Sequence, residues 1–279
     1  MKDPVARAPG DVRSRRQEET IAVVVLTHNR VHLLRQCVQN VLAVTSAATR
    51  EIVIWDNASA DGTREYLDAL TDPRITVVHH DLNIGQNAYA RAFAMTSSDY
   101  LVELDDDVVR APSQWDAILL DAYRRLPTIG FLAADLEYDP HDVATQYRYR
   151  IRPHEYTPTE MNGVRLLIGP TGGACAMTSR ALYRRVGGFR QDPRFVFWQE
   201  EPAYIDDIQK LGYGPAVLAD LKVHHTGGAY YGAISAEKDE FWADYWKRQA
   251  RRAAIKRVVF RVPFFRRLNA RFAWFVAPT

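Results

Sequence analysis

The stretch IAVVVLTHNRVHLLRQCVQNVLAV, Ile21 to Val44, decides the fold. Its opening IAVVVLT is apolar and rich in β-branched residues, as a strand buried on both faces requires, and VHLLRQCVQNVLAV (Val31 to Val44) then shows helical spacing. The same order recurs downstream. EIVIWD (Glu51 to Asp56) reads as a strand, NASADG as a turn and TREYLDAL as a helix; ITVVHH (Ile75 to His80), a polar turn and NAYARAFAMTS repeat the pattern. A fourth strand follows in YLVELDDDVV, Tyr100 to Val109. Parallel strands need crossover helices, so this βαβα order predicts an α/β fold with a mostly parallel, doubly wound sheet flanked by helices.

In such sheets ligands bind beyond the carboxyl ends of the strands, and all four strands end there in polar groups. These are Thr27-His28-Asn29-Arg30, Asp56-Asn57-Ala58-Ser59, the His80 to Gly85 turn, and Asp105-Asp106-Asp107. Three adjacent carboxylates repel one another unless solvent, basic groups or a cation offsets them. The triplet is therefore either a solvated strand end or a site. Together with a later histidine it can bind Mg²⁺ or Mn²⁺ through hard oxygen ligands and one imidazole. No GxGxxG or GxxxxGK[ST] pattern occurs, which removes the usual dinucleotide and Walker phosphate loops.

Beyond Pro112 the pattern predicts a helix over Ser113 to Arg125 and a strand in FLAADLEY. Asp139 to Gly163, rich in Pro, Tyr, Arg and His without a clean period, reads as an excursion of the kind that carries specificity. Residues 1–19 read as a disordered lead-in with no apolar segment of the signal-peptide kind, and no apolar run approaches the ~20 residues of a membrane span. Cys37 and Cys175 are the only cysteines, which argues for a reducing, cytoplasmic setting and against a disulfide framework. The formal charge of +2 hides an asymmetry: after Asp244 the chain carries only basic charges. The expected organisation is therefore a lead-in, a folded α/β body over 20–235 and a basic amphipathic helical extension over 236–279. That extension, mixing Arg and Lys with Val, Phe and Trp over 247–279, can lie on an anionic membrane, close over the sheet or pack between subunits as in a homodimer. No nucleic-acid-binding motif accompanies it.

VVVLTHNR, IVIWDNASADGT, NIG, LDDDV, GPTGGACAM, RRVGGF, the QEEPAYIDDIQKLGY block and VHHTGG occur in the order seen in family-two glycosyltransferases, and the resemblance covers about residues 21–230. These are inverting, nucleotide-sugar-dependent enzymes of the GT-A fold. The resemblance implies that LDDDV is the DxD element, with Asp107 the favoured metal contact and Asp105 or Asp106 facing the ribose or the metal. It places Thr27 and His28 at the nucleotide pocket with the imidazole beside the base, Arg30 near the phosphates, and Asp56 where it can accept from a base N–H. Read alone, a histidine such as His28 is more often a surface or satisfied core residue, and Asp56-Asn57 is equally turn chemistry or a helix cap. Asn83 and Gly85 match the N-x-G element, and Arg91 stands where the family often has Asn, so that it faces the diphosphate or pairs with the acids. Gly172 and Gly173 fall where the family lines the donor-sugar and acceptor cavity with backbone.

Inverting transfer needs a carboxylate to take the acceptor hydroxyl proton. By its distance from Gly212, Glu201 matches the second acid of the family's E-D block and is nominated as that base; on its own, an acid before a helix also serves the helix dipole. Pro202 suits a helix start. Asp206 and Asp207 read as helix-face residues, Trp198 as an acceptor platform or core, and His225 as the third metal ligand with His224 as its alternative. The resemblance thus implies a metal-dependent enzyme that moves a sugar from a nucleotide-diphosphate donor to a glycan, lipid-linked or small-molecule hydroxyl. A nucleotidyltransferase is disfavoured, since LTHNR lacks a Gly-rich loop; a non-catalytic nucleotide-sugar-binding protein of the same fold is the other alternative.

Overall fold

A computed structural model describes residues 19–140, 142–192 and 200–227, together with Lys247 and Arg251. The chain divides into two compact units, Met1–Thr226 and Gly227–Thr279, and the elements below belong to the first. Trp198, residues 1–18 of the expected lead-in and nearly all of the expected extension lie outside the described residues.

The elements run β1 (Ile21–Thr27), α1 (Val31–Gln36), β2 (Thr49–Asn57), α2 (Thr63–Asp68), β3 (Ile75–His80), α3 (Asn87–Ala94), β4 (Tyr100–Asp105), β5 (Val108–Arg110) and α4 (Trp115–Arg124). They continue with β6 (Ile129–Leu136), α5 (Val143–Gln146), β7 (Thr157–Met161), β8 (Val164–Ile168), β9 (Cys175–Ser179), α6 (Arg180–Arg185), α7 (Glu200–Gln209) and β10 (Gly214–His225). All the strands join one ten-stranded sheet of order β3-β2-β1-β4-β9-β6-β10-β8-β7, with β5 added against β10. β3, β2, β1 and β4 are mutually parallel, as the βαβα reading requires. Beyond β4 the sheet is mixed: β9 is antiparallel to both β4 and β6, while β10 runs parallel to β6.

Every residue of β1 is buried because helices cover both faces of the sheet. On one face Leu34, Tyr66, Leu67, Trp115 and Leu119 from α1, α2 and α4 pack on Val23, Val25, Val102 and Leu104. On the other, Phe93, Tyr183 and Tyr204 from α3, α6 and α7 pack with Phe189 on Val24, Leu101 and Phe131.

Two segments differ from the sequence expectation. The helix expected over 31–44 ends as regular helix at Gln36, widens over Cys37–Val41 and tightens over Leu42–Val44. The buried set Leu33, Leu34, Cys37, Val41 and Leu42 nevertheless stays on the core, so the apolar period was read correctly and only the winding differs. The aperiodic excursion ends in β7, the first arm of a hairpin with β8 that turns at Asn162-Gly163 with φ of 51° and 71°. An Asn-Gly pair with both φ positive is the favoured two-residue hairpin turn; alternation in β7 is hidden because TPTEM is almost wholly exposed.

One buried polar contact ties α4 to the entry of β2. Asp116, fully buried, accepts from Ser46 N (2.8 Å), Ser46 Oγ (2.8 Å) and Thr49 Oγ1 (2.5 Å). Replacing Asp116 by Ala strands three donors, which costs about 3 kcal/mol at roughly 1 kcal/mol each. Urea unfolding of D116A should show a clearly lower midpoint; a midpoint equal to wild type would contradict this role.

Candidate active site

The carboxyl edge of β1, β2, β3 and β4 gathers the polar groups named above, and the acid triplet lies at its centre. Asp105 ends β4 and keeps a side-chain exposure of 30%. Asp106 and Asp107 are fully buried in the turn to β5. That turn lets β5 pair with the end of β10, opposing His225 to Val108 and His224 to Arg110. His225 Nε2 thereby comes within 3.1 Å of Asp107 Oδ1 and 3.6 Å of Asp105 Oδ2. Asp105, Asp107 and His225 each offer one ligand atom, and these atoms all lie within 4.8 Å of one another. Two carboxylate oxygens and one imidazole nitrogen fit Mn²⁺ or Mg²⁺. His224 points elsewhere, towards Glu137 (3.4 Å) and Asp139 (3.9 Å), so of the two histidines it is His225 that reaches the triplet.

Arg30 spans the remaining acid oxygens, with Nη2 2.5 Å from Asp106 Oδ1 and Nη1 2.9 Å from Asp107 Oδ2. Burial pushes the Asp106 carboxyl up to about 7, against the pull of Arg30 and of the Thr27 hydroxyl, with Asp107 and Asp105 adding to the rise. Asp106, one of two candidates for the ribose, thus faces Arg30 inside the protein, and Asp105 is the acid open to a ligand. The His225 imidazole is pushed well above its ordinary range: burial lowers it, but Asp107, Asp105 and Asp142 together outweigh burial.

At the neighbouring strand ends, His28 Nδ1 donates to Asn57 O (2.7 Å) while its Nε2 accepts from Asn29 Nδ2 (3.1 Å), which fixes the tautomer. Asp56 is fully buried; Oδ1 accepts from Ser59 N (2.9 Å) and Oδ2 faces His79 Nδ1 (3.1 Å), whose Nε2 lies 2.9 Å from Asp68. Its carboxylate therefore organises the turn and His79. Asn83 Oδ1 accepts from Gly85 N (2.9 Å), and Gly85 has φ +58°, a left-handed conformation that favours glycine. Arg91 donates to His80 Nε2 (3.2 Å), and it is Arg30 that pairs with the acids.

A second carboxyl group of residues lies beside the triplet. Glu200 and Glu201 occupy the first turn of α7, and Gly173 N donates to Glu201 Oε1 (2.9 Å). Glu103, buried in the middle of β4, comes so close to Gly173 that a Cβ there would sit 1.8 Å from Glu103 Oε1 and 2.8 Å from Glu201 Oε1. Gly173 is thus a glycine because two carboxyl groups converge on it, whereas a Cβ at Gly172 would meet nothing within 4 Å. Among the described residues both Glu103 oxygens and Glu201 Oε2 are buried without a hydrogen-bond partner. Burial first, then the charges of Glu201, Glu200 and Asp105, raises Glu103 well above the ordinary carboxyl range. Glu200 is raised well above it by burial and by Glu201. Burial raises Glu201 as well, assisted by Asp105 and opposed by hydrogen bonds from Glu200 and Gly173.

Comparisons with known proteins give the family and the fold. The model of glycosyl transferase family 2 matches residues 22–187, more than half of the chain. The chain belongs to this family. Over 117 residues it is 30% identical to WcaA of Escherichia coli (strain K12), named for colanic acid biosynthesis as a glycosyl transferase; the match covers 41% of this chain and 42% of that one. Among solved structures, GalNAc-T7 with UDP, GalNAc and Mn²⁺ superposes with a TM-score of 0.54 at 17% identity, covering 75% of this chain and 45% of the other. S. aureus TarS (1–349) does so with a TM-score of 0.53 at 15% identity, covering 74% and 60%. The chain thus spans less than two thirds of these relatives, and the likeness establishes the GT-A fold.

Sequence reasoning missed Glu103, Glu200, Asp142 and His79 as members of the edge. Glu103 carried a usable signal, a charged residue within an otherwise apolar central strand; the others become visible only when α7, the excursion and β3 fold onto the edge.

A carboxyl raised by burial favours the folded state below its ordinary pKa, and that contribution is lost as pH rises from 4.5 through the elevated value. Replacing Glu103 by Gln removes this titration. E103Q should therefore lose less thermal stability than wild type between pH 5 and pH 8, and an identical pH slope in the two proteins would contradict the burial account.

Proposed function

We propose that this family-two enzyme transfers a sugar, with inversion, from a nucleotide-diphosphate donor to an acceptor hydroxyl, with Glu201 as the base and a divalent cation held by Asp105, Asp107 and His225. The observation that carries this reading is the convergence of those three ligand atoms within 4.8 Å at the same sheet edge that holds Glu201. The UDP and Mn²⁺ bound by GalNAc-T7 support it. When bound, Mn²⁺ or Mg²⁺ neutralises negative charge on the leaving diphosphate.

The chain's own groups divide the remaining work. Gly173 N–H occupies Glu201 Oε1, which leaves Oε2 as the atom that takes the acceptor proton as the hydroxyl oxygen attacks the anomeric carbon. A single displacement of this kind inverts the anomeric configuration. The elevated Glu201 carboxyl is a stronger base than an exposed one, and the unprotonated form that is needed grows as pH rises above 4.5. Arg30 anchors Asp106 and orients Asp107 towards His225. The edge at His28, Asp56 and Asn83 to Gly85 frames the nucleotide, with Asp105 facing the ribose side. Gly172, whose Cβ position is open, leaves room for the donor sugar. The acceptor is a glycan, a lipid-linked glycan or a small molecule, approached past the 139–163 excursion.

We assign residues 20–235 to the catalytic body and 236–279 to a basic amphipathic extension whose composition suits an anionic membrane surface or a subunit interface. The described residues include no helix long and apolar enough to cross a membrane. Cys37 and Cys175 are free thiols, which supports a cytoplasmic setting.

A thermal-shift panel of nucleotide sugars with and without Mn²⁺ identifies the donor, since a ligand bound to the native state raises its stability by mass action. With that donor, E201Q should retain Mn²⁺-dependent binding while turnover falls by about two orders of magnitude or more. Normal turnover in E201Q would remove Glu201 as the base, and a chain that binds donors but transfers no sugar to any acceptor would favour a binding protein.

A further inference from the structure

His225 has two ring nitrogens, and the site accounts for only one of them. Nε2 faces Asp107 and Asp105; Nδ1 lies 3.0 Å from Asp142 Oδ2, well outside the acid triplet. An imidazole that binds a metal through one nitrogen keeps its proton on the other, and the partner of that proton sets the ring's orientation. We propose that Asp142 is the positioning residue of the cation centre, holding His225 Nδ1–H so that Nε2 is aimed at Asp105 and Asp107. This inference rests on the metal-centre reading above.

Asp142 is built for a fixed role. It is almost fully buried. Its Oδ1 accepts from Ala144 N (2.9 Å), which caps α5 and leaves Oδ2 directed at the imidazole. Its backbone is held as well: Asp142 N donates to Asp139 O (3.2 Å), and Asp142 O accepts from Gln146 N (2.9 Å) and Thr145 Oγ1 (3.1 Å). The following segment is fastened to the end of β6, where Arg148 pairs with buried Asp135 and Tyr149 Oη donates to Leu136 O (3.0 Å). The excursion is thus anchored on both sides of α5, and the anchored loop presents a carboxylate to the one cation ligand that does not come from the acid triplet. Nδ1–H stays on Asp142 whether Nε2 carries a proton or a cation, so the ring keeps its direction through that exchange. The same loop, expected to face the acceptor, is therefore physically joined to the centre that faces the donor.

Capping and positioning are separable in Asp142→Ser. Serine still caps a helix through its hydroxyl, but it is too short to hold Nδ1–H. Binding of Mn²⁺ alone to the full chain, followed by loss of the free-ion EPR signal, should weaken by about 10- to 100-fold in D142S. In ¹⁵N-histidine-labelled protein, the Nδ1–H correlation that disappears in H225A should move or vanish in D142S. Mn²⁺ affinity and Nδ1–H signal equal to wild type in D142S would overturn the positioning role and leave Asp142 as a helix cap. Absence of Mn²⁺ binding in the wild-type chain would instead overturn the metal-centre reading on which the role rests.

Discussion

Like charges crowded at one end of β4 are the constraint on which the rest of the site depends. Asp105, Asp106 and Asp107 follow one another there, and Glu103 and Glu201 converge on Gly173 beside them, with Glu200 next to Glu201 in the first turn of α7. Burial makes each ionised carboxyl costly, and each neighbour raises that cost. The protein offsets it in two ways. Arg30 supplies a permanent positive charge to Asp106 and Asp107. His225 supplies a proton-bearing or cation-bearing nitrogen between Asp105 and Asp107. Among the described residues the glutamates have no such cationic partner, and burial raises all three above the ordinary carboxyl range. One sheet edge therefore contains two kinds of carboxyl, those arranged for a cation and those arranged for a proton.

The topology makes this arrangement reachable. Four parallel strands bring their polar ends to a single edge, which is the general position for ligands in an open α/β sheet. The mixed half of the sheet then delivers the missing pieces. β9 lies antiparallel to β4 and brings Gly173 over Glu103, while the end of β10 pairs with β5 and carries His225 to Asp107. Tyr204 of α7 packs in the aromatic cluster with Phe189 and Tyr183, fixing the helix whose first turn bears Glu201. Core packing on one face of the sheet thus sets the position of the proposed base.

Much of this was legible in the sequence because the relevant signals are local. IAVVVLT, EIVIWD and ITVVHH have the composition of buried strands, and each ends in polar residues, so the parallel half and its ligand edge follow from pattern alone. The triplet was visible as an electrostatic anomaly. Long-range pairing was not: that β9 inserts between β4 and β6, or that Asp142 reaches His225, depends on register and loop closure that no window of residues encodes. The Asn162-Gly163 hairpin was legible in principle, but its exposed flanking residues carry no alternation to support it. At Asp56 the sequence shows the residue type but not its partners: in the fold Oδ1 accepts from Ser59 N and Oδ2 faces His79 Nδ1.

The central claim is that the acid triplet and His225 form half of a cation centre whose repulsion is offset when metal and diphosphate arrive. Crystals grown with Mn²⁺ and a nucleoside diphosphate, measured for anomalous scattering near the manganese edge, test it directly. The account predicts one anomalous peak within about 2.0 to 2.6 Å of oxygens of Asp105 or Asp107 and of His225 Nε2, in contact with the diphosphate. A diphosphate bound without a manganese peak there, or with manganese at other residues, would contradict it.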